Sequence, residues 1–160
     1  MGGGTEALNE DFTLIIINIL FSAKEYYIIW FDYESFLMDE NQLLILYSPE
    51  DAQRYCVQKC NERTDIWALN FDEELISGYP TFLDKWNVIG DIANTLKIDF
   101  IGNHDEYTDL YSKFVYGSNI PALNTSGKKY VPTFTDEERR QIENLTHDMT
   151  RILKIALGLN

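Results

Sequence analysis

The chain has 160 residues, and 26 acidic against 13 basic side chains give it a formal net charge of −13. This charge argues against general binding to nucleic-acid phosphates or anionic membranes, and it favours a basic partner. At this length the chain is expected to form a single domain, 1–160.

The acidic residues are spread unevenly along the chain. Residues 1–80 hold 15 acids and 4 bases, whereas residues 81–160 hold 11 acids and 9 bases. A surface that attracts a basic partner is therefore expected mostly on the first half. The alternative interpretation is that the acidity only keeps the protein soluble.

The N-terminal part divides into a polar and an apolar segment. Residues 1–11 are expected to be a linker or disordered. Residues 12–21, FTLIIINILF, are too short to span a bilayer, and the acids before them argue against a signal peptide. They are interpreted as an apolar strand or an accessory segment, with the folded domain starting as late as Ser22 in the second case.

Strand-forming residues dominate the chain after Ser22. The run that begins at Tyr26, the short run Phe36–Met38 and the run Leu43–Tyr47 are rich in such residues, and Asp39-Glu40-Asn41 is typical of a turn. Two or three antiparallel strands are expected here.

Caps and apolar spacing predict four helices, three of them in the C-terminal half. Ser48 and Pro49 are typical of a helix start. The helices are expected at about 49–61, 81–96, 104–116 and 135–157, with a further strand at 66–71. This order predicts an α+β fold in which a small antiparallel sheet from the N-terminal half packs against about four helices.

The ends of the last two helices carry specific predictions. Asn103 and Glu106 are expected to form a capping box, and Gly117 is expected to end that helix in the left-handed conformation. Thr135 and Glu138 are expected to form a second capping box.

Residues suited to catalysis or metal binding are few. His104 and His147 lie in helical segments without a Ser or Cys nucleophile pattern, which favours surface or cap roles. Cys56 and Cys60 are interpreted as buried thiols of a cytoplasmic protein, since their spacing suits neither a disulfide nor a metal site. With no phosphate or calcium loop in the sequence, no catalytic residue, metal or cofactor is predicted.

Three motifs in the second half of the chain carry a resemblance that covers roughly residues 26–157. They are Trp86-Asn87 with Asp91, Tyr111-x-Lys113-Phe114-x-Tyr116-Gly117-x-Asn119-x-Pro121, and Tyr130-x-Pro132 followed by Thr135-Asp136-Glu137-Glu138. Their order resembles the small acidic bacterial immunity proteins that accompany polymorphic toxins of contact-dependent growth inhibition and related secretion systems. The resemblance implies a protein that neutralises a cognate toxin and is not an enzyme.

Many toxins of such systems are nucleases with basic clefts, which an acidic face would occlude by mimicking nucleic acid. The acids of the N-terminal half are the predicted partner-binding residues: Asp32, Glu34, Asp39, Glu40, Asp72, Glu73 and Glu74. For each of them, a solvated acidic rim without a partner is the alternative.

Two other functions are left open. A small-molecule binder or enzyme would use an aromatic pocket around Tyr107, Tyr111 and Trp86, and it would show a deep cavity with converging polar groups instead of a flat or convex acidic patch. A transcriptional or signalling adaptor is the third possibility.

All three tryptophans lie in apolar runs and are expected in the core: Trp30, Trp67 and Trp86.

Overall fold

The computed structural model describes residues 12–74 and 78–159, so the expectation for residues 1–11 lies outside the described residues. The chain forms two compact units, one within Met1–Asp72 and the other within Glu73–Asn160. In the described residues, the first unit has strands and one α-helix, and the second has three α-helices. The α+β class with three C-terminal helices is thus confirmed, while the single domain stays a prediction.

The first unit is built on a four-stranded sheet with the strand order β3-β2-β1-β6. A two-stranded hairpin, β4–β5, forms a second sheet. The strands are β1 Leu14–Phe21, β2 Lys24–Phe31, β3 Ser35–Phe36, β4 Met38–Asp39, β5 Gln42–Leu43 and β6 Ile66–Asn70.

The four-stranded sheet is mixed: it contains the antiparallel strands that were predicted, and β6 adds a parallel pairing. β1 pairs antiparallel with β2 but parallel with β6. The helix α1, Pro49–Cys60, precedes β6 in the chain. A helical crossover of this kind lets a strand join the sheet in the parallel direction, which a short hairpin loop does not.

Strand β1 lies at the centre of this sheet and is buried along nearly its whole length. Only Leu20 is partly exposed. Leu14 and Ile16, on one face, pack in a cluster with Ala52 and Cys56 of α1. The apolar N-terminal run is therefore a core strand, and its interpretation as an accessory segment was wrong.

The turn between β1 and β2 is held by a carboxylate from the end of β6. Ser22 and Ala23 have φ values of 52° and 62°, the positive pair typical of a type I′ hairpin turn. Their backbone N–H groups both donate to Asp72, over 2.6 and 2.7 Å. The Asp72 N–H donates in turn to Asn70 Oδ1 over 2.8 Å, which fixes the acceptor in place.

The β4–β5 hairpin interrupts the strand that was predicted at Leu43–Tyr47. The Leu37 N–H donates to Ile29 O of β2 over 2.9 Å, and Leu46 and Tyr27 exchange two bonds of 2.8 Å. Between these two points the chain leaves the edge of β2. The predicted strand is therefore reduced to β5 and a single bridge at Leu46.

The second unit has three α-helices and two 3-10 turns within residues 78–159. The α-helices are α2 Tyr79–Leu96, α3 Thr108–Gly117 and α4 Asp136–Ala156, and the 3-10 turns are Ile101–Asn103 and Asp105–Tyr107. Helix α2 begins two residues before the predicted start at residue 81, and its N-cap is Gly78.

Phe114 of α3 is the centre of the aromatic core of this unit, and its side chain is fully buried. Its ring centroid lies 4.8 Å from that of Phe82 and 5.3 Å from that of Tyr79. Two further rings lie within 6.1 Å, those of Trp86 and Phe134. The apolar spacing that predicted this helix thus belongs to its buried face.

Both predictions for the ends of α3 were wrong. The Asn103 amide donates to Gly90 O over 3.4 Å and to Asn94 over 3.3 Å, and the chain forms 3-10 turns where the capping box was expected. Gly117 lies inside the helix. A Cβ atom there would come within 3.0 Å of both Pro132 and Tyr79, so close packing explains the glycine.

The predicted capping box of α4 is confirmed, and it also binds α3. Thr135 Oγ1 accepts from the Glu138 N–H over 3.1 Å, and Glu138 Oε1 accepts from the Thr135 N–H over 2.9 Å. Lys113 Nζ donates to the same Glu138 oxygen over 2.7 Å. The bond from Lys113, followed by that from the Thr135 backbone, lowers the pKa of Glu138 below its usual range.

The Asp72→Ala variant is expected to lower the free energy of unfolding by about 1–2 kcal/mol, because two N–H groups of the β1–β2 turn lose a charged acceptor. Urea denaturation measures this change. The matched control is Asp39→Ala, which removes an exposed acid of β4 and should cost less than about 0.5 kcal/mol. Equal losses in both variants would contradict the role of Asp72.

The Glu138→Gln variant is expected to be less stable than the parent at pH 7. A carboxyl group with a lowered folded pKa stabilises the fold above its unfolded pKa, near 4.3, and loses that effect as the pH falls through the folded value. The stability difference should therefore be constant from about pH 7 to pH 5 and shrink below about pH 4. Glu137→Gln, at the exposed neighbour, is the control, and a difference that grows on acidification would contradict the prediction.

Candidate functional site

The seven predicted partner-binding acids do not lie in one patch. Asp32 and Glu34 lie in the turn that follows β2, whereas Asp72 binds the turn that precedes β2. β2 has eight residues, so its two ends are about 23 Å apart. Asp39 and Glu40 lie in the β4–β5 hairpin on the β3 side of the sheet. The remaining two, Glu73 and Glu74, belong to the second unit.

Three of these acids make contacts that stabilise the fold. Asp32 Oδ1 accepts from the Thr13 N–H over 2.7 Å, and Asp72 holds the β1–β2 turn. Glu73 forms an ion pair of 3.3 Å with Lys85, whose side chain is fully buried. The other four are exposed: Glu34, Asp39, Glu40 and Glu74. A partner-binding role for the seven stays a prediction.

Two exposed aromatic rings lie beside the first pair of acids. Tyr33 and Trp67 are 50% and 41% exposed, and their ring centroids are 6.1 Å apart. Both rings contact the buried Trp30, at 5.4 and 5.8 Å. These three residues are called the aromatic patch. Because Trp30 supports the outer rings, they lose little side-chain freedom when a partner binds.

Backbone geometry and strand pairing bring the aromatic patch together. Asp32 and Tyr33 have φ values of 53° and 59°, which make a tight turn from β2 into β3. In the sheet register Trp30 lies opposite Ile15, and Trp67 lies opposite Ile17. Since Ile15 and Ile17 are two residues apart in β1, all four side chains share one face.

The core position expected for the tryptophans is confirmed for Trp30 and Trp86 and wrong for Trp67. Within the part of the chain that the structure describes, β6 pairs with one strand only and forms an edge of the sheet. Its first three residues are all exposed. An apolar run such as Ile66–Phe71 has the same sequence pattern in an edge strand as in a central strand. The sequence therefore does not predict that Trp67 is exposed.

The aromatic pocket of the alternative interpretation is filled with packed side chains. Trp86 is 2% exposed, and its Nε1 donates to Gly102 O over 3.0 Å. Its ring meets that of Tyr111 edge-on at 5.1 Å, and the Tyr111 hydroxyl donates to Asn87 over 2.9 Å. These contacts are those of a packed core. The second unit has a cavity of about 600 Å³ elsewhere, beside α3 and the segment that follows it.

The surroundings of His104 and of Cys56 raise the pKa of each side chain. His104 Nε2 is hydrogen-bonded to Asp99 over 2.6 Å, and this bond raises the pKa of the imidazole. Burial, followed by the charge of Cys60, raises the pKa of Cys56 to about 11. A thiol with such a pKa forms almost no nucleophilic thiolate near neutral pH.

Across residues 12–74 and 78–159, no three His, Cys, Asp or Glu side chains are grouped to hold a metal ion. None of the helices in these two ranges has the length and apolar character needed to cross a membrane.

Comparisons of the chain with protein-family models, with curated proteins and with solved structures give no match. The resemblance to immunity proteins therefore stays a prediction. The geometry and charge of the aromatic patch and its neighbouring acids are the basis for a functional proposal.

Trp67 is expected to carry most of the tryptophan fluorescence that acrylamide can quench, because Trp30 and Trp86 are only 7% and 2% exposed. Stern–Volmer titration of Trp67→Phe should show that most of the quenching is lost. In the control, Trp86→Phe, quenching should persist. A loss of quenching in the control instead would contradict the exposed position of Trp67.

Proposed function

We propose that this chain is an inhibitor of the immunity type, which binds a basic toxin domain and blocks its active site. The observation that supports this proposal is the aromatic patch, with Asp32 and Glu34 in the same turn. The patch belongs to the more acidic unit, because the sequence up to Asp72 holds 13 acidic and 4 basic residues.

The exposed rings of the patch have the properties of an interface anchor. Trp and Tyr are enriched among the residues whose truncation costs most binding energy, and they act best when their surroundings are rigid. The contacts of Tyr33 and Trp67 with the buried Trp30 supply this rigidity. We therefore expect these rings to set the lifetime of the complex.

The acids act mainly on the rate of association. Negative charge over the first unit attracts a basic cleft at long range, and salt weakens this attraction. Glu34, next to Tyr33, is exposed and free to face a partner. Acids at the distant end of the sheet contribute to the long-range field without touching the partner.

A nuclease is the toxin class that this charge fits best, because a nuclease cleft is shaped to bind polyanions. An inhibitor of such an enzyme works by occupying the cleft and needs no chemistry of its own. Protection of the cell's nucleic acid requires a cytoplasmic location for the inhibitor.

The test begins with affinity capture by the tagged chain from its source bacterium at low salt, with bound proteins identified by mass. The captured protein is then expressed alone in a laboratory bacterium. We expect it to arrest growth, and we expect co-expression of the chain to restore growth. A captured protein without toxicity would contradict the proposed function.

Two variants test the surface on the captured toxin. Trp67→Ala is expected to weaken binding by about 10- to 100-fold, mainly through faster dissociation. Glu34→Lys is expected to slow association at low salt, with a smaller effect at high salt.

Each variant has a matched control in the same unit. Tyr47→Ala removes a ring that is 67% exposed and lies outside the patch. Glu25→Lys reverses an exposed charge near the opposite end of β2. Controls that weaken binding as much as the patch variants would place the interface on another surface.

A further inference from the structure

The chain contains one long stretch without negative charge. Residues 110–135, between Asp109 and Asp136, include no Asp or Glu, although the whole chain has 26 acids among 160 residues. The same stretch includes Lys113, Lys128 and Lys129. The net charge of this stretch is therefore positive, whereas that of the whole protein is negative.

The three lysines line the cavity of the second unit, whose volume is about 600 Å³. This volume falls in the range of small-molecule sites. No acidic side chain is among its lining residues. Besides the lysines, the lining consists of Ser112, Tyr116, Leu123, Asn124, Ser126 and Tyr130.

Hydrogen bonds of two asparagines hold the rim of the cavity. Asn119 Oδ1 accepts from the Tyr130 N–H over 2.7 Å, and Asn119 Nδ2 donates to Tyr130 O over 3.0 Å. Asn124 Nδ2 donates to Asn119 Oδ1 over 2.8 Å and to Lys128 O over 2.9 Å. The segment after α3 is thus fixed in place without regular secondary structure, and its side chains are preorganised for a ligand.

Two of the lysines have charges that the described chain does not neutralise. Lys113 Nζ lies 2.7 Å from Glu138, so its charge is compensated. Lys128 and Lys129 are exposed, and neither forms an ion pair with any residue in the described ranges. Two ammonium groups at the edge of a cavity attract an anion, and lysine binds phosphate as a point charge.

The apolar part of the lining is unusually exposed. Tyr116, Leu123 and Tyr130 are 51%, 50% and 42% exposed. Tyrosine rings stack with planar heterocycles, a contact that tolerates many ring types. Ser112 adds a hydroxyl group to the same cavity, whereas Ser126 Oγ is hydrogen-bonded to Asn124 Oδ1 over 2.7 Å within the rim.

We propose that this cavity binds a small organic phosphate that carries a planar ring, of the nucleoside monophosphate class. Lys128 and Lys129 bind the phosphate, the rings of Tyr116 and Tyr130 contact the base, and the Ser112 hydroxyl binds the sugar. This site belongs to the second unit and does not depend on the inhibitor function proposed for the first.

The test measures binding of AMP to the full chain by titration calorimetry at low salt, with adenosine and inorganic phosphate as partial probes. We expect AMP to bind at least about tenfold more tightly than either partial probe, since each supplies only one half of the contacts. Failure of AMP to bind at millimolar concentration would overturn the proposal, as would inorganic phosphate binding as tightly as AMP.

Variants assign the binding to the cavity. The double variant Lys128→Gln/Lys129→Gln should weaken AMP binding by about tenfold or more. The control, Lys24→Gln/Lys154→Gln, makes the same change of charge at exposed positions outside the cavity and should have little effect on AMP binding. Tyr116→Ala should weaken AMP more than phosphate. Equal weakening in both double variants would overturn the site, and so would binding of a short single-stranded oligonucleotide without binding of AMP. Thermal melts verify that each variant is folded.

Discussion

The first unit depends on the burial of β1. An apolar strand at the centre of a sheet needs hydrogen-bonding partners along both edges, because unpaired buried backbone groups are costly. β2 supplies one edge through a hairpin, and β6 supplies the other after helix α1. This arrangement leaves β6 at an edge of the described sheet, which is why Trp67 is exposed beside Tyr33.

The acidic side chains divide into two groups that act over different distances. Asp32 and Asp72 accept backbone N–H groups at 2.6–2.7 Å, and Glu73 faces the buried Lys85, so these three act within the fold. Exposed acids such as Glu34 act through space, and their effect depends on salt. The number of acids predicts the sign of a protein's electrostatic field, but it does not show which surface binds a partner.

The second unit shows how short polar contacts position a surface. Phe114 anchors α3 in the aromatic core, and Lys113 connects that helix to Glu138 of α4. Asn119 and Asn124 then hold the following segment by side-chain bonds to its backbone. Each unit thus presents exposed aromatic side chains beside charges, acidic in the first unit and basic at the cavity of the second.

Local chemistry in the sequence determined the α+β class, the strand at β6, the approximate helices and the capping box at Thr135, because caps and apolar periodicity act within a few residues. Pairing between distant segments decided the rest. The parallel direction of β6, the central place of β1 and the separation of Asp32 from Asp72 depend on which strands meet, and a single sequence does not encode that locally. For the same reason the sequence does not predict the cavity held by Asn119 and Asn124. It forms because the fold brings residues of α3 and of the later segment together.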